Sequence, residues 1–361
     1  MILLTFPGQI LLKIRDRART SPETWPKVSV LVSARNEEKS IKRCVKSLLK
    51  LNYPAELLEI ILVDDRSTDQ TYSIMAEETE GHEHVMVLST KAFDTTLEAK
   101  ARGIACAAKQ ATGEWLFITD ADSEVHPDWI RAMLRGVTPK KGIIGGMMIV
   151  NASSVLSVIE KMYWAFMLPF AFGMSGLGID SVAVGPNMAI RNSIYKRQGG
   201  LEAQRFRIAE DLALFNMSVN AGFDTLLHYN RASTVMMDPV PSFSHLLSQQ
   251  RRWMMGPFDQ SFWHALAFIV LYGFSFLFMI ALILSIFLSP VTGVFVFCIK
   301  CLADLINVAT SALLSGNHSI LKYIPVIWLY TPFVFLFLPI SFLMSRTVSW
   351  KGEGYNIEYT P

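Results

Sequence analysis

Short apolar runs alternate with helix-patterned segments along the first 150 residues of the chain. The apolar runs are rich in β-branched and aromatic residues and are bounded by turn residues, which predicts strands at residues 28–33, 59–63, 84–89 and 115–119. Apolar positions recur at helical spacing between these runs, which predicts helices at residues 37–50, from about residue 69, and at residues 97–110. Strands that alternate with helices are typical of an α/β fold with a mostly parallel sheet.

The C-terminal part of the chain has long apolar stretches and very little charge. Between His264 and Leu343 the only formally charged side chains are Lys300, Asp304 and Lys322. A helix needs roughly 20 apolar residues to cross a bilayer, and three stretches meet this length: residues 264–288, 291–314 and 324–344. The pattern predicts a soluble-type domain followed by a membrane domain of about three helices, with buried helices of a large soluble protein as the alternative.

Further apolar segments lie outside these predicted spans. Residues 1–20 hold about a dozen apolar positions interrupted by Pro7 and end in a basic cluster, which favours an interfacial anchor over a signal peptide. Residues 153–178 are apolar and aromatic but contain Pro169, which suits an amphipathic segment on the membrane surface, and residues 242–256 are expected to join it there. The predicted domains are therefore residues 1–20, 21–256 and 257–346, with a tail at 347–361.

The composition agrees with a protein that is partly embedded in lipid. Hydrophobic residues make up 51% of the chain, charged residues only 18%, and the formal charge is +2. The four cysteines give no disulfide framework, and the C-x-x-C of Cys298 and Cys301 lies inside a predicted membrane helix, where we expect it to pack rather than bind metal. We expect a lipid bilayer and no nucleic acid among the partners.

Paired carboxylates follow two of the predicted strands. FITDADSEVHPDWI places Asp120 and Asp122 after the fourth strand, and alternate side chains of an extended segment point the same way. Magnesium commonly uses one or two carboxylates plus substrate phosphates, so this pair can hold a cation that bridges to a nucleotide diphosphate, or simply cap a helix. Asp64 and Asp65 follow the second strand, where they can bind a nucleoside or serve turn chemistry. Ligands of α/β sheets bind at such strand ends.

Two later motifs also carry charge at predicted helices. IAEDLAL puts Glu210 and Asp211 at a helix start, where the helix dipole favours negative charge. SQQRRWMMG sets Arg251, Arg252 and Trp253 just before the first predicted span. Arginine forks match phosphate oxygens, but these residues taken alone favour a positive-inside anchor with Trp253 in the interfacial belt.

The order of these motifs resembles the family 2 inverting glycosyltransferases, in the membrane-integrated branch that includes cellulose, chitin and hyaluronan synthases and the ceramide glucosyltransferases. The resemblance runs from about Val28 to Trp253. It is carried by VSVLVSARNEE, ILVDDRSTD, EAKARGIACAAKQATGEWLFITDADSEVHPDWI, AEDLAL and QQRRW, in that order and followed by apolar helices. It implies a GT-A fold and a nucleotide-diphosphate sugar donor, most often a UDP-sugar.

The resemblance also implies a set of donor-binding residues. Three of them line the nucleoside pocket: Ser33, Glu37 and Asp65. Lys100 faces the nucleotide, Asp120 contacts the nucleoside side of the donor, and Asp122 binds Mg²⁺ or Mn²⁺. Arg35 departs from the pattern, because many relatives have an aromatic residue there that packs on the base.

The same resemblance assigns the reacting groups. Asp211 stands at the position of the catalytic aspartate that accepts a proton from the acceptor hydroxyl, with Glu210 beside it at the acceptor. The Q-x-x-R-W motif fits Gln249, Arg252 and Trp253, which hold the donor, neutralise the leaving diphosphate and form the floor of the acceptor site, respectively. The sequence thus predicts a multi-pass membrane enzyme with a cytoplasmic catalytic domain.

The predicted reaction moves a sugar from a UDP-sugar to a lipid-embedded hydroxyl on the cytoplasmic face. The alternative is a processive polysaccharide synthase, because Q-x-x-R-W is shared with polymer makers. Three spans are a thin frame for a polymer channel, although a homo-oligomer could supply more helices. A catalytically dead sensor would be expected to have lost Asp122, Asp211 or Arg252, and all three are present.

Lys300 and Asp304 lie four residues apart in the second apolar stretch and so share a helix face. Charges at membrane depth usually face a protein interior or a watery cavity. The spacing favours a neutralising pair that packs this helix against its neighbours. The alternative is that the pair, together with Asn307, lines a pocket for the acceptor's head group or a subunit contact.

Overall fold

The structure, a computed structural model, describes residues 2–178, 184–204, 209–255, 262–344, 347–350 and 353–356. Ile208 and Gly256, at the ends of two sequence motifs, and residues 357–361 of the predicted tail lie outside the described residues. Within the described part the α-helices are α1 (Ile2–Ala18), α2 (Ile41–Leu48), α3 (Thr71–Glu78), α4 (Ala99–Gln110), α5 (Trp129–Leu134), α6 (Val155–Gly176), α7 (Asn192–Arg197), α8 (Glu210–Asn220), α9 (Phe243–Met255), α10 (Phe262–Leu288), α11 (Pro290–Ser315) and α12 (Ile324–Met344). The strands there are β1 (Val28–Ala34), β2 (Leu58–Asp64), β3 (Val85–Ser89), β4 (Trp115–Asp120), β5 (Ser123–Glu124), β6 (Lys141–Gly146), β7 (Met148–Val150), β8 (Met188–Arg191), β9 (Asp224–His228), β10 (Val235–Met237), β11 (Thr347–Trp350) and β12 (Glu353–Asn356).

The central sheet is mixed and has the strand order β3-β2-β1-β4-β8-β6-β9. Strands β3, β2, β1 and β4 run parallel and are the four that the sequence predicts, so the predicted α/β class is confirmed. Strand β8 runs antiparallel to both of its neighbours, β4 and β6, and β9 is parallel to β6. A smaller sheet of β5, β10 and β7 lies beside it. The carboxyl ends of β1, β2 and β4 therefore meet at one edge.

Strand β1 divides its side chains between two hydrophobic cores. Val30 and Val32 join a core that includes residues of α2 and α5, whereas Leu31 joins another core with residues of α4 and α8. All three side chains are fully buried. Because successive side chains of a strand point to opposite faces, the sheet is covered on both faces, as a parallel sheet of apolar strands requires.

Helix α1 packs closely against α6 through glycines. A Cβ atom at Gly8 would lie 1.9 Å from the Gly173 carbonyl oxygen, and one at Gly176 would lie 1.9 Å from the Gly8 carbonyl oxygen. Small residues let two helix backbones approach in this way. Pro7 and Pro169 lie inside these two helices without ending them. The segment predicted as an interfacial anchor is thus joined to the protein itself, and its place at a membrane stays a prediction.

The C-terminal helices α10, α11 and α12 begin and end within two residues of the predicted apolar stretches. Two helices in the described part of the chain, α6 and α11, are long and apolar enough to cross a membrane. Helix α6 corresponds to the segment that the sequence assigns to the membrane surface. In the predicted tail, β11 and β12 pair antiparallel. That any of these helices crosses a bilayer stays a prediction.

Candidate active site

The ends of the parallel strands bring several predicted residues together. Ser33 lies opposite Asp120 in the register of β1 and β4, and Ala34 lies opposite Asp64 in the register of β1 and β2. The Asp65 backbone N–H donates to the Ala34 carbonyl oxygen at 2.7 Å. The two carboxylate pairs that the sequence singles out therefore lie on either side of β1, at the edge where α/β sheets bind ligands.

Lys100 links two of these elements to α8. Its Nζ forms ion pairs with an Asp120 carboxylate oxygen and, at 3.2 Å, with Glu210 Oε1. Burial lowers the pKa of Lys100, but the negative charges of Asp120 and Glu210 outweigh this effect and hold the pKa above its usual value. Lys100 therefore carries a full positive charge at neutral pH, between the strand that bears Asp120 and the helix that bears Asp211.

Local backbone geometry fixes Lys100 in this place. The residue before it, Ala99, has a φ of +51°, in the left-handed region that non-glycine residues rarely adopt. On the next turn of α4, a Cβ atom at Gly103 would lie 2.0 Å from Ser33 Oγ, so only glycine fits against the end of β1. Helix α4 can therefore approach the sheet closely, and this approach brings the Lys100 ammonium to Asp120.

Asp211 is a half-buried carboxylate at the start of α8. Burial and, next, the charge of Glu210 raise its pKa to about 6, against the opposing charges of Lys100 and Arg252. Its Oδ1 accepts a hydrogen bond of 2.8 Å from the Leu212 backbone N–H. A Cβ atom at Gly185 would lie 3.0 Å from Asp211 Oδ2, so the chain passes close to this carboxylate. A carboxylate with such a pKa can accept a proton near neutral pH.

Asp122 lies in the short turn between β4 and β5. Its carbonyl oxygen accepts hydrogen bonds from Arg43 Nη2 at 3.0 Å and from the Asp238 backbone N–H at 3.2 Å. Within the described residues no group of three or more His, Cys, Asp or Glu side chains is placed to hold a metal ion. Magnesium usually binds through only one or two protein carboxylates when substrate phosphates supply other oxygens. Asp122 fits that role as a single protein carboxylate.

The side chain of Asp65 points into the fold. It is only 1% exposed, and its oxygens accept hydrogen bonds from Arg102 Nε at 2.6 Å, from Arg102 Nη2 at 3.1 Å and from Thr90 Oγ1 at 2.7 Å. Glu37 accepts a hydrogen bond of 2.6 Å from Ser40 Oγ in its own loop. Their predicted contacts with a nucleoside stay predictions. Arg102 is the residue that sequence reasoning missed, because nothing in the local pattern shows that it faces Asp65 rather than solvent.

Helix α9 carries the Q-x-x-R-W residues to different surroundings. Arg252 belongs with the charged cluster, because its positive charge lowers the pKa of Asp211. Trp253 packs against α6, with its ring 5.8 Å from that of Tyr163 in a stacked arrangement and 4.2 Å from that of Trp164. Gln249 Oε1 is buried and accepts no hydrogen bond from the described residues. The structure thus places Arg252 where its charge acts on Asp211, and it places Trp253 in an aromatic cluster with α6.

The assembled site is a half-buried cluster of alternating charge. Asp120, Glu210 and Asp211 supply three carboxylates, and Lys100 and Arg252 supply two cations. These residues come from β4, α4, α8 and α9, so no single sequence window contains them. The resemblance to known enzymes predicts each of these residues. It does not predict the ion pair between Lys100 and Glu210, because it places Glu210 at the acceptor.

Comparison with known proteins shows that the chain is similar to enzymes that transfer sugars. Residues 3–361 match the profile of glycosyl transferase family 21. The chain is 32% identical over 123 residues to a beta-monoglucosyldiacylglycerol synthase of Nostoc sp., a match that covers 34% of this chain and 26% of that protein. It is 26% identical over 244 residues to a poly-beta-1,6-N-acetyl-D-glucosamine synthase of Staphylococcus epidermidis, which covers 65% of this chain and 56% of the relative. In both cases the match spans well under two thirds of the relative.

A solved structure has the same fold over nearly the whole chain. The mannosyltransferase PcManGT from Pyrobaculum calidifontis, determined in complex with GDP-Man and Mn²⁺, superposes with a TM-score of 0.55 at 17% sequence identity. The superposition covers 94% of this chain and 95% of the other. At this identity the likeness concerns the fold, which supports the predicted GT-A-like α/β architecture.

Proposed function

Because the chain belongs to glycosyl transferase family 21, and so is a glycosyltransferase that uses nucleotide sugars, we propose that it transfers a sugar from a UDP-sugar to a hydroxyl group of a membrane lipid. The transfer inverts the anomeric centre and takes place on the cytoplasmic face of a bilayer. The observation that carries the proposal is the half-buried carboxylate of Asp211 beside the charges of Lys100 and Arg252.

Asp211 is the proposed general base. In the reaction the acceptor oxygen forms a bond to the anomeric carbon, while the bond from that carbon to the diphosphate oxygen breaks and its electron pair stays with the diphosphate. The acceptor hydroxyl loses a proton, which passes to an Asp211 carboxylate oxygen. A pKa of about 6 suits this step, since the group is ionised at neutral pH yet basic enough to hold a proton.

Positive charge is needed where the diphosphate leaves. Lys100 and Arg252 are the two cations that act on Asp211, and both are proposed to face the departing phosphates. Preorganised charges of this kind stabilise the leaving group in the transition state without further reorganisation. Asp122 is the proposed protein ligand of Mg²⁺ or Mn²⁺, which supplies Lewis acidity at the diphosphate when bound.

The aromatic cluster around Trp253 is the proposed acceptor side. Tyr163 and Trp164 of α6 pack against Trp253, and Tyr330 of α12 joins them. Indole and phenol rings suit a membrane interface, because one edge is apolar and the other can donate hydrogen bonds. The similarity to a beta-monoglucosyldiacylglycerol synthase favours a glycolipid as the product. In this arrangement α6 and α11 would lie in or on the bilayer.

A processive polysaccharide synthase is the second candidate, because the chain is also similar to a poly-beta-1,6-N-acetyl-D-glucosamine synthase over 65% of its length. One experiment separates the two. Purified protein in lipid nanodiscs is incubated with Mn²⁺, lipid extract and a panel of UDP-sugars, and the products are analysed by mass spectrometry. A lipid that gains the mass of one sugar supports the first proposal, a ladder of sugar masses supports the second, and no transfer from any UDP-sugar refutes the proposed donor.

A matched pair of variants controls this assay. Asp211→Asn is expected to abolish the product, because removal of a general base typically lowers a rate by about 100- to 10,000-fold. Asp224→Asn changes a carboxylate that is 58% exposed and pairs with Lys141, and it is expected to leave the product unchanged. Equal loss in both variants would point to damage of the fold rather than to the chemistry of Asp211.

A further inference from the structure

Helix α2 packs against the turn that carries Asp122. Two adjacent residues of this helix contact the carbonyl oxygens of the D-x-D segment. Cys44 Sγ lies 3.5 Å from the Asp120 carbonyl oxygen, and Arg43 Nη2 donates to the Asp122 carbonyl oxygen at 3.0 Å. One turn later, Ser47 Oγ accepts a hydrogen bond of 3.2 Å from the Val125 backbone N–H. One face of α2 thus follows the backbone of residues 120–125.

Arg43 also joins this turn to Asp238, the residue that follows β10 in the small sheet. Its Nη2 lies 2.6 Å from Asp238 Oδ2, and its Nε lies 3.7 Å from Glu124 Oε2. The Asp238 backbone N–H itself donates to the Asp122 carbonyl oxygen at 3.2 Å. The preceding residue, Met237, pairs with Ser123 in the register of β10 and β5. A single carbonyl therefore receives two donors, and those two donors are held to each other by an ion pair.

We propose that Arg43 is a positioning residue for Asp122, which it holds through the Asp122 backbone so that the carboxylate faces the donor's diphosphate. This inference rests on the proposed role of Asp122 as a cation ligand. A guanidinium suits the task, because the two hydrogens of Nη2 can bond the Asp122 carbonyl oxygen and the Asp238 carboxylate at once. A site that binds a cation through a single protein carboxylate depends strongly on where that carboxylate points.

The test compares Mn²⁺ affinity among variants of the full-length protein in nanodiscs. Arg43→Met removes the fork, and Lys42→Met is the matched control: Lys42 precedes it on α2 and pairs with Glu78 at 2.5 Å, away from the D-x-D turn. Mn²⁺ binding is measured by electron paramagnetic resonance with UDP present, and thermal unfolding is measured in parallel. Arg43→Met is expected to weaken Mn²⁺ binding about tenfold, since bonds from charged donors contribute the most, whereas Lys42→Met leaves it unchanged.

A kinetic readout distinguishes positioning from general support of the fold. In Arg43→Met, excess Mn²⁺ is expected to restore kcat close to the wild-type value, with the defect confined to the Mn²⁺ concentration that gives half-maximal rate. In Asp122→Ala the same excess restores nothing, because the ligand itself is gone. A structural role alone would lower the unfolding temperature without raising the Mn²⁺ concentration that gives half-maximal rate.

A second variant keeps the proposal testable if Arg43→Met does not fold. Asp238→Asn removes the charge that holds Arg43 but keeps the backbone N–H that bonds Asp122, and it is expected to weaken Mn²⁺ binding by about threefold. Unchanged Mn²⁺ affinity in a folded variant of either kind overturns the inference alone. Wild-type protein that binds UDP but no Mn²⁺ overturns both the inference and the proposed metal role of Asp122.

Discussion

The raised pKa of Asp211 implies that the proposed general base lowers the stability of the folded protein at neutral pH. Burial and the neighbouring charge of Glu210 raise this pKa from 3.8 to about 6. At about 1.4 kcal/mol per pKa unit, the ionised carboxylate costs the folded state about 3 kcal/mol. The native state binds the proton more tightly than the unfolded state does. Proton binding by Asp211 therefore stabilises the native state fully below pH 3.8, and this stabilisation is lost as the pH rises to about 6.

Asp211→Asn is therefore expected to be inactive but increasingly more stable than wild type as the pH rises. Asparagine stays neutral at every pH and can still accept the hydrogen bond from the Leu212 N–H. With the two pKa values above, the wild-type penalty is about 1 kcal/mol at pH 4.5 and about 3 kcal/mol at pH 7.5. The stability gap between variant and wild type should thus grow by about 2 kcal/mol, which corresponds to about 3 °C in unfolding temperature for a chain of this length.

The assay is thermal unfolding of both proteins in nanodiscs at pH 4.5 and pH 7.5, with Asp224→Asn as the control. Asp224 is 58% exposed, so its replacement should produce no gap that changes with pH. The growth of the gap is the quantity to measure, because a buried amide carries its own desolvation cost at both pH values. A gap between Asp211→Asn and wild type that is the same at both pH values would refute the reasoning, and so would a kcat/KM for transfer that stays constant between pH 5 and pH 7.

Three further outcomes follow from contacts in the structure. Gly103→Ala places a methyl group 2.0 Å from Ser33 Oγ, so it should lower stability by about 1–3 kcal/mol and weaken UDP binding measured by calorimetry; wild-type values would show that α4 can shift. Asp122→Ala should lose the Mn²⁺-dependent part of UDP affinity in the same calorimeter, and an unchanged affinity would remove it from the metal site. Lys300→Leu alone should lower the unfolding temperature strongly, because it leaves Asp304 buried and unpaired, whereas replacement of both by leucine should be close to neutral; equal effects would contradict this.

Sequence patterns predicted the elements whose signal is local. The apolar strands of the parallel half and the long apolar helices were found nearly at their true ends, since a run of β-branched residues or twenty apolar residues needs no context. Strands β8 and β6 of the other half of the sheet were missed because β8 has four residues and β6, KGIIGG, is half glycine. Such segments become strands only when they pair with the edge of the sheet at β4, so their formation depends on tertiary structure.

The site shows the same limit at the level of single side chains. The D-x-D pattern and the resemblance to known enzymes located Asp120 and Lys100, yet the pairing of Lys100 with Glu210 depends on the fold, because 110 residues of chain separate them. Asp65 was expected at a nucleoside, and its bonds to Arg102 are invisible in sequence because either residue could equally face solvent. Motifs identify the residues that can carry the chemistry, whereas long-range packing determines the hydrogen-bond and ion-pair partners of each residue.

The polar residues of α11 show how far spacing alone can lead. Four-residue spacing predicted that Lys300 and Asp304 share a face, and their ion pair is observed at 2.7 Å. Spacing could not say what covers them: Lys300 also donates to Thr331 of α12 at 2.6 Å, and Asn307 accepts a hydrogen bond of 2.9 Å from Gln9 of α1. These bonds join α11 to two other helices, and any shift in register would leave buried polar atoms without partners, which is costly among apolar helices. The pair is therefore best understood as part of a polar layer that fixes the helices in register, and the acceptor is better sought beside the aromatic cluster of α6 and α9, next to Asp211 and its charged neighbours.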